Sequence, residues 1–213
     1  VTSKLWPTEY GEGKTLEAID AMLERLGLEY IDLLYIHQPI GDYVGAWKDM
    51  EKAYEQGKVR ALGISNCDAK EEVYNAIVEG MKIKPAVHQI ECHPYAQRLD
   101  MRKKHELHQI VTECWFPLGH GEKNLLSDAT IATIAKKHNK TIVQIILRWH
   151  IQEGFSVIPG NTNPEWIKEN ISIFDFKLDD EDMKTMRSLN QEKRFYNMSL
   201  EQLEKFVFAR QLR

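Results

Sequence analysis

A lysine stands inside the first apolar run of the chain, "VTSKLWPTEY" (1–10). An ammonium group in such a strand is costly unless its charge is used. Other polar or aromatic residues close later apolar runs. His37 ends "YIDLLYIH", Ser65 and Asn66 end "VRALGISN", Gln89 and Glu91 end "PAVHQIE", and Trp115 ends "QIVTECW". Ammonium and imidazole groups can donate protons or stabilise negative charge developing on a substrate. Taken singly, each has a plainer reading. Lys4 is then a strand-end lysine reaching solvent, and His37 a core histidine satisfied by backbone.

The elements that must position these residues alternate. The apolar runs predict six strands, at 1–5, 30–37, 59–65, 85–91, 109–115 and 155–159. Between and after them, apolar residues at helical spacing predict helices at 13–27, 43–58, 69–80, 98–106, 128–139, 141–154, 163–171 and 179–190. Gly27, Gly57 and Gly154 mark helix ends, and Pro164 a first turn. Strict alternation argues for an α/β fold with a parallel sheet. A doubly wound nucleotide fold usually carries a glycine-rich turn after its first strand, and no GxGxxG occurs here. Polar residues at the C-terminal ends of successive strands are where (β/α)8 barrels place their chemistry. No linker splits the chain, which predicts one domain over 1–213, with 191–213 as a C-terminal tail.

Composition excludes several classes. The chain has 213 residues and a net charge of −4, which gives no electrostatic reason for a nucleic-acid or anionic-membrane partner. No apolar run approaches a membrane span. Cys67, Cys92 and Cys114 are widely spaced, with no CxxC pair and no metal-type cluster, and read as free thiols of a reducing cytoplasm. His105 and His108, three apart on a Lys-rich helix, read as surface residues. His88, Glu91 and His93 are close in sequence but fall on different faces or beyond the strand end, which argues against a metal hydrolase.

Four segments, "GLEYIDLLYIHQP", "GKVRALGISN", "KPAVHQIECHP" and "IKENISIFDFKL", resemble the aldo-keto reductase family in order and spacing. The resemblance runs from residue 1 to about 190. It implies a (β/α)8 TIM barrel, here incomplete, with strands 3 to 8 and their helices. It implies reduction of an aldehyde or ketone to an alcohol by hydride from NADPH or NADH. "SKLW" resembles the family's lysine motif and "YIHQP" its histidine motif, which makes Lys4 and His37 the catalytic candidates. In that chemistry a lysine favours the phenolate of a tyrosine acid, and a histidine orients the carbonyl oxygen. The family's tyrosine and aspartate precede these motifs and have no counterpart here. Six strands of eight leave open edges, for which a homo-oligomer is one cover.

The resemblance also assigns a cofactor site. Ser65, Asn66 and Gln89 match the group that holds the carboxamide, and Trp115 the ring stacked on nicotinamide. Leu118 and Gly119 follow in "WFPLG", and Glu169 with Asn170 face adenine. Trp6 is expected to line the substrate pocket. Some positions depart from the family pattern. Gly160 and Asn161 replace a lysine and a serine, and Trp166 an arginine, at the grip on the 2′-phosphate of NADPH. Losing those cations puts NADPH preference in question. Trp166 is expected either to stack on adenine or to pack its helix onto the barrel. Phe116 stands where glycine or serine is common and is expected to crowd the pyrophosphate path. His88 replaces an asparagine and Cys67 a phenylalanine. A second reading, a non-catalytic relative acting as a binding module, rests on the absent tyrosine and aspartate and the lost cations.

Overall fold

The computed structural model describes residues 1–209, so the last four residues of the predicted tail lie outside the described residues. The chain forms an α/β fold with parallel strands, divided into two compact units. One comprises Val1–Ile90, Lys104–Val111 and the segment from Met198; the other comprises Glu91–Lys103 and Thr112–Asn197.

In the first unit, β1 (Thr2–Leu5), β2 (Leu33–Ile36), β3 (Leu62–Ser65) and β4 (Val87–Glu91) pair in chain order. Between them run α1 (Lys14–Leu26), α2 (Tyr43–Glu55) and α3 (Glu71–Val78). Leu34, Tyr35 and Ile36 are wholly buried, which explains why the sequence there is an unbroken apolar run. Gly63 pairs with Tyr35, and a Cβ at Gly63 would come within 2.5 Å of the Tyr35 ring. α1 buries Ile19, Met22 and Leu23 and stops at Gly27, whose φ of 64° suits a residue without Cβ. Asp42 caps α2 by accepting from the Gly45 amide.

α4 (Leu99–His108) leads to β5 (Val111–Trp115). The second unit continues with α5 (Lys123–Leu126), α6 (Ala129–His138), α7 (Ile142–Gln152), β6 (Ser156–Val157), α8 (Pro164–Ile171) and α9 (Asp180–Ser188). β5 and β6 pair through Glu113↔Ser156 and Cys114↔Val157. The core here joins Ile131 and Ile134 of α6, Ile145, Ile146 and Trp149 of α7, and Met183 and Met186 of α9. Each such side chain contributes about 1.5–3 kcal/mol by leaving water. Thr141–Gln144 and Asp179–Asp182 form capping boxes on α7 and α9.

Three expectations need correction. The strands are shorter than the apolar runs: 30–37 pairs continuously only over Leu33–Ile36, with Ile31 in a single bridge to Val59, and 155–159 contracts to Ser156–Val157. Apolar character extends beyond the ladder where a flanking residue is itself buried, as Ile31 and Phe155 are. His105 is not a surface residue. It is 2 % exposed, with Nε2 2.9 Å from His88 Nδ1, and His108 is half-buried, 6.2 Å from the Tyr74 ring. A polar helix sequence gives no sign of such a pairing. The tail also carries an unexpected helix, α10 (Leu200–Ala209), whose Leu203 and Val207 pack on Ile40, with Trp6 alongside.

Candidate active site

The first unit gathers Lys4 and His37. Lys4 pairs with Tyr35 across β1 and β2, and His37 lies two residues beyond Tyr35, on the same face. The Lys4 ammonium lies 5.7 Å from the Tyr35 ring centroid. Burial, and after it the Lys4 charge, push the His37 pKa down to about 4. The imidazole is therefore neutral at pH 7, with one N–H to donate. Trp6 meets it edge-on at 5.0 Å.

Tyr10, which sequence reasoning passed over, fixes this rim. Its hydroxyl oxygen accepts the His37 amide at 2.9 Å and the Gln38 amide at 3.2 Å, and its O–H donates to the Leu5 carbonyl at 3.2 Å. Burial raises its pKa well above the usual phenol range. This tyrosine is spent on backbone. The one sequence signal for it was a tyrosine just beyond β1.

Ser65, Asn66 and Gln89 also meet in this unit. Ser65 pairs with Gln89 across β3 and β4, and the Asn66 amide donates to the Gln89 carbonyl at 3.0 Å. Asn66 takes a left-handed φ of 58°. Its Nδ2 donates to Gln38 Oε1 and Ser65 Oγ, at 3.3 and 3.2 Å. Its Oδ1 is buried and without a hydrogen-bond partner among the described residues. A buried orphan acceptor beside a serine hydroxyl fits an external amide N–H.

The second unit holds a cavity of about 620 Å³. Its wall includes Leu118, Gly160, Asn161, Glu169 and Asn170, five of the residues expected to bind cofactor. Phe116, His120 and Trp166 line it too, and among the described residues no lysine or arginine does. Trp166 is 56 % exposed, on a helix with no fully buried residue. Phe116, at a left-handed φ of 51°, stacks on His120 with centroids 4.4 Å apart. A Cβ at Gly160 would meet nothing within 4 Å. Glu169 already accepts the Thr141 hydroxyl.

Two predicted residues stand off this wall. Gly119 is buried, and a Cβ there would come within 2.7 Å of the Phe195 ring. Trp115 packs edge-to-face between Phe116 at 4.3 Å and Tyr196 at 5.3 Å, its Nε1 buried without a hydrogen-bond partner among the described residues.

The cysteines bring another correction. Spacing suggested no cluster, yet Cys92, Cys114 and His150 come together, their ligand atoms within 4.8 Å of one another, all buried. His150 Nδ1 lies 2.8 Å from the Ile146 carbonyl and Nε2 3.1 Å from the Cys92 carbonyl, and a neutral ring donates to one of the two. The Cys114 thiol, with His150 in support, pulls the Cys92 pKa down against the effect of burial.

A family model described as "Aldo/keto reductase family" matches residues 1–191. The 9,11-endoperoxide prostaglandin H2 reductase of Trypanosoma cruzi (strain CL Brener) is 43 % identical over 196 residues, covering 91 % of this chain and 69 % of that protein. The glyoxal reductase of Bacillus subtilis (strain 168) is 40 % identical over 195 residues, with coverage of 91 % and 69 %. Among solved structures, MGS-M4, an aldo-keto reductase enzyme from a Medee basin deep-sea metagenome library, superposes with a TM-score of 0.87 at 42 % identity. That match covers 92 % of this chain and 73 % of the other. A Gox0644 mutant in complex with NADPH gives 0.87 at 37 % identity, covering 94 % and 73 %. No helix among the described residues is long and apolar enough to cross a membrane. The motifs, the fold and these likenesses agree: the chain belongs to the aldo/keto reductase family.

Proposed function

We propose that the protein is an oxidoreductase reducing an aldehyde or ketone to an alcohol, on strands three to eight of a (β/α)8 barrel. The observation that carries this is the placing of Lys4 and a neutral His37 at the ends of neighbouring strands, Lys4 opposite Tyr35 and His37 two residues beyond it, close enough for the ammonium to depress the imidazole pKa. A bound nicotinamide dinucleotide supplies the hydride. Hydride arriving at the carbonyl carbon would leave negative charge on oxygen, and a proton taken from solvent water, which leaves as hydroxide, would complete the alcohol. The His37 N–H is suited to orient that oxygen, and the Lys4 ammonium to stabilise the charge.

Each unit by itself offers groups that fit one part of a dinucleotide. In the first unit the orphan Asn66 Oδ1, beside Ser65 and with Gln89, suits a carboxamide. In the second unit Trp115 offers a ring face, Leu118 a place on the cavity wall for the pyrophosphate path, with the Gly119 backbone next to it in sequence, and Glu169 and Asn170 polar groups for adenine. The cavity wall, with Gly160, Asn161 and Trp166 in place of cations, favours NADH over NADPH. The three unbridged cysteines suit a reducing cytoplasm.

Tyr10 favours a second reading, dinucleotide binding without turnover, because its hydroxyl is committed to backbone and cannot serve as the proton donor. Calorimetric titration with NADH and NADPH, followed by nicotinamide absorbance with several aldehydes, separates the two. Turnover supports reduction. Binding without turnover supports the second reading, and absence of binding overturns both.

A further inference from the structure

The Glu91 carboxylate is fully buried in the second unit, yet donors surround it. Oε1 accepts the Phe195 amide at 2.6 Å and the Tyr196 amide at 3.3 Å, with His93 Nε2 3.3 Å away. Oε2 accepts the Tyr196 amide at 3.2 Å and Arg194 Nε at 3.2 Å. Arg98 donates to the Glu91 backbone carbonyl at 3.2 Å. Burial opposes ionisation, but His93, the Phe195 amide and Arg194 outweigh it and hold the carboxyl below its ordinary value. A buried charge survives only with this density of partners.

These bonds fix a segment more than a hundred residues away in sequence. Phe195 then stacks on His93, centroids 4.6 Å apart at 20°, and fills the space left by Gly119. Tyr196 meets Trp115 edge-on, at 5.3 Å and 76°. An edge-to-face contact restrains the indole plane.

We propose that Glu91 is a positioning residue: it latches residues 194–196 so that Tyr196 braces the Trp115 ring for stacking on a planar nicotinamide. The proposal rests on the reading of Trp115 as the stacking residue. A glutamine at 91 would keep one acceptor but turn an N–H₂ toward donors, leaving at least one of them unpaired.

The test compares the full chain with Glu91→Gln and Tyr196→Ala. Amide hydrogen exchange across the 194–196 segment and calorimetric affinity for NADH are both read. Glu91→Gln is expected to speed exchange there and to raise the NADH Kd about tenfold, the scale of a lost charge-assisted bond. Exchange in α6 and α7 stays as in the parent. Tyr196→Ala keeps its amide on Glu91, so exchange is unchanged while the Kd still rises; a purely structural role would not produce that. If Glu91→Gln does not fold, Tyr196→Ala decides. Parental affinity in Tyr196→Ala, or in a folded Glu91→Gln whose segment has loosened, overturns the proposal. A parent chain that binds neither NADH nor NADPH overturns the reading of Trp115, and the proposal with it.

Discussion

The rim of the first unit and the cavity of the second are built on opposite plans. At the rim, Lys4 and His37 sit among groups whose positions are fixed: Tyr10 ties the His37 amide to the end of β1, and Gly63 makes room for Tyr35. In the cavity, Trp166 is more than half exposed, Gly160 faces open space and α8 buries none of its residues. The difference teaches where change is tolerated. Groups that must meet a reacting atom need a rigid frame, because small misplacements are expensive in rate. A wall whose helix buries no residue, as in the proposed dinucleotide wall, can exchange side chains without disturbing the core.

The largest expected effect tests the rim. Lys4→Met should cost about 3 kcal/mol of transition-state stabilisation, more than a hundredfold in kcat/KM, as for the loss of one oriented charge. Steady-state reduction of an aldehyde measures it, and unchanged turnover would remove Lys4 from the chemistry. The same variant should raise the His37 pKa, since the ammonium helps to lower it.

Acid should open the same rim. The His37 pKa is depressed to about 4 from 6.5, so the unfolded chain binds the proton first as pH falls. Folding stability should therefore be intact above pH 6.5 and decline from there to about 4. The loss should total roughly 2–3 kcal/mol at 1.4 kcal/mol per pKa unit, allowing for partial solvent screening. Urea unfolding across that range checks it. A His37→Gln variant with an equally steep decline would show that another group is responsible.

Two glycines sharpen the contrast. Gly63→Ala should destabilise by about 2 kcal/mol, because its methyl would strike the buried Tyr35 ring. Gly160→Ala should fall within about 0.5 kcal/mol of the parent, because its methyl meets nothing. Equal thermal shifts would erase the distinction between rim and wall.

A gain of function is the smallest effect. Gly160→Lys combined with Trp166→Arg should tighten NADPH binding by about 1.5 kcal/mol, roughly tenfold, through new charge-assisted contacts. NADH affinity should change much less. Absence of any NADPH gain in calorimetry would move the phosphate site elsewhere.

Much of the fold was legible because each element announces itself locally. β2 reads as a doubly covered strand from "YIDLLYIH", α1 as a helix from Leu16, Ile19, Leu23 and Leu26 at helical spacing with Gly27 behind them. Lys4 and His37 stood out for a related reason, a polar group placed where an apolar run ends. His105 did not, because its partner His88 lies 17 residues away and its helix is mostly polar, with no clear apolar face. Tyr10 was missed since a tyrosine beyond a strand carries no sign of which amides it will accept. The Cys92–Cys114–His150 cluster escaped because its members come from different elements at irregular spacing.

The sequence by itself determined the order of strands and helices, the family motifs, and the residue types at the ends of the strands. Those depend on periodicity and chain neighbours, which a linear reading contains. Only the tertiary structure decided that His37 is neutral, that Asn66 keeps a buried unpaired acceptor, and that Glu91 holds the segment beneath Tyr196. Each of these depends on desolvation and on hydrogen bonds between distant residues, and neither exists until the chain is folded.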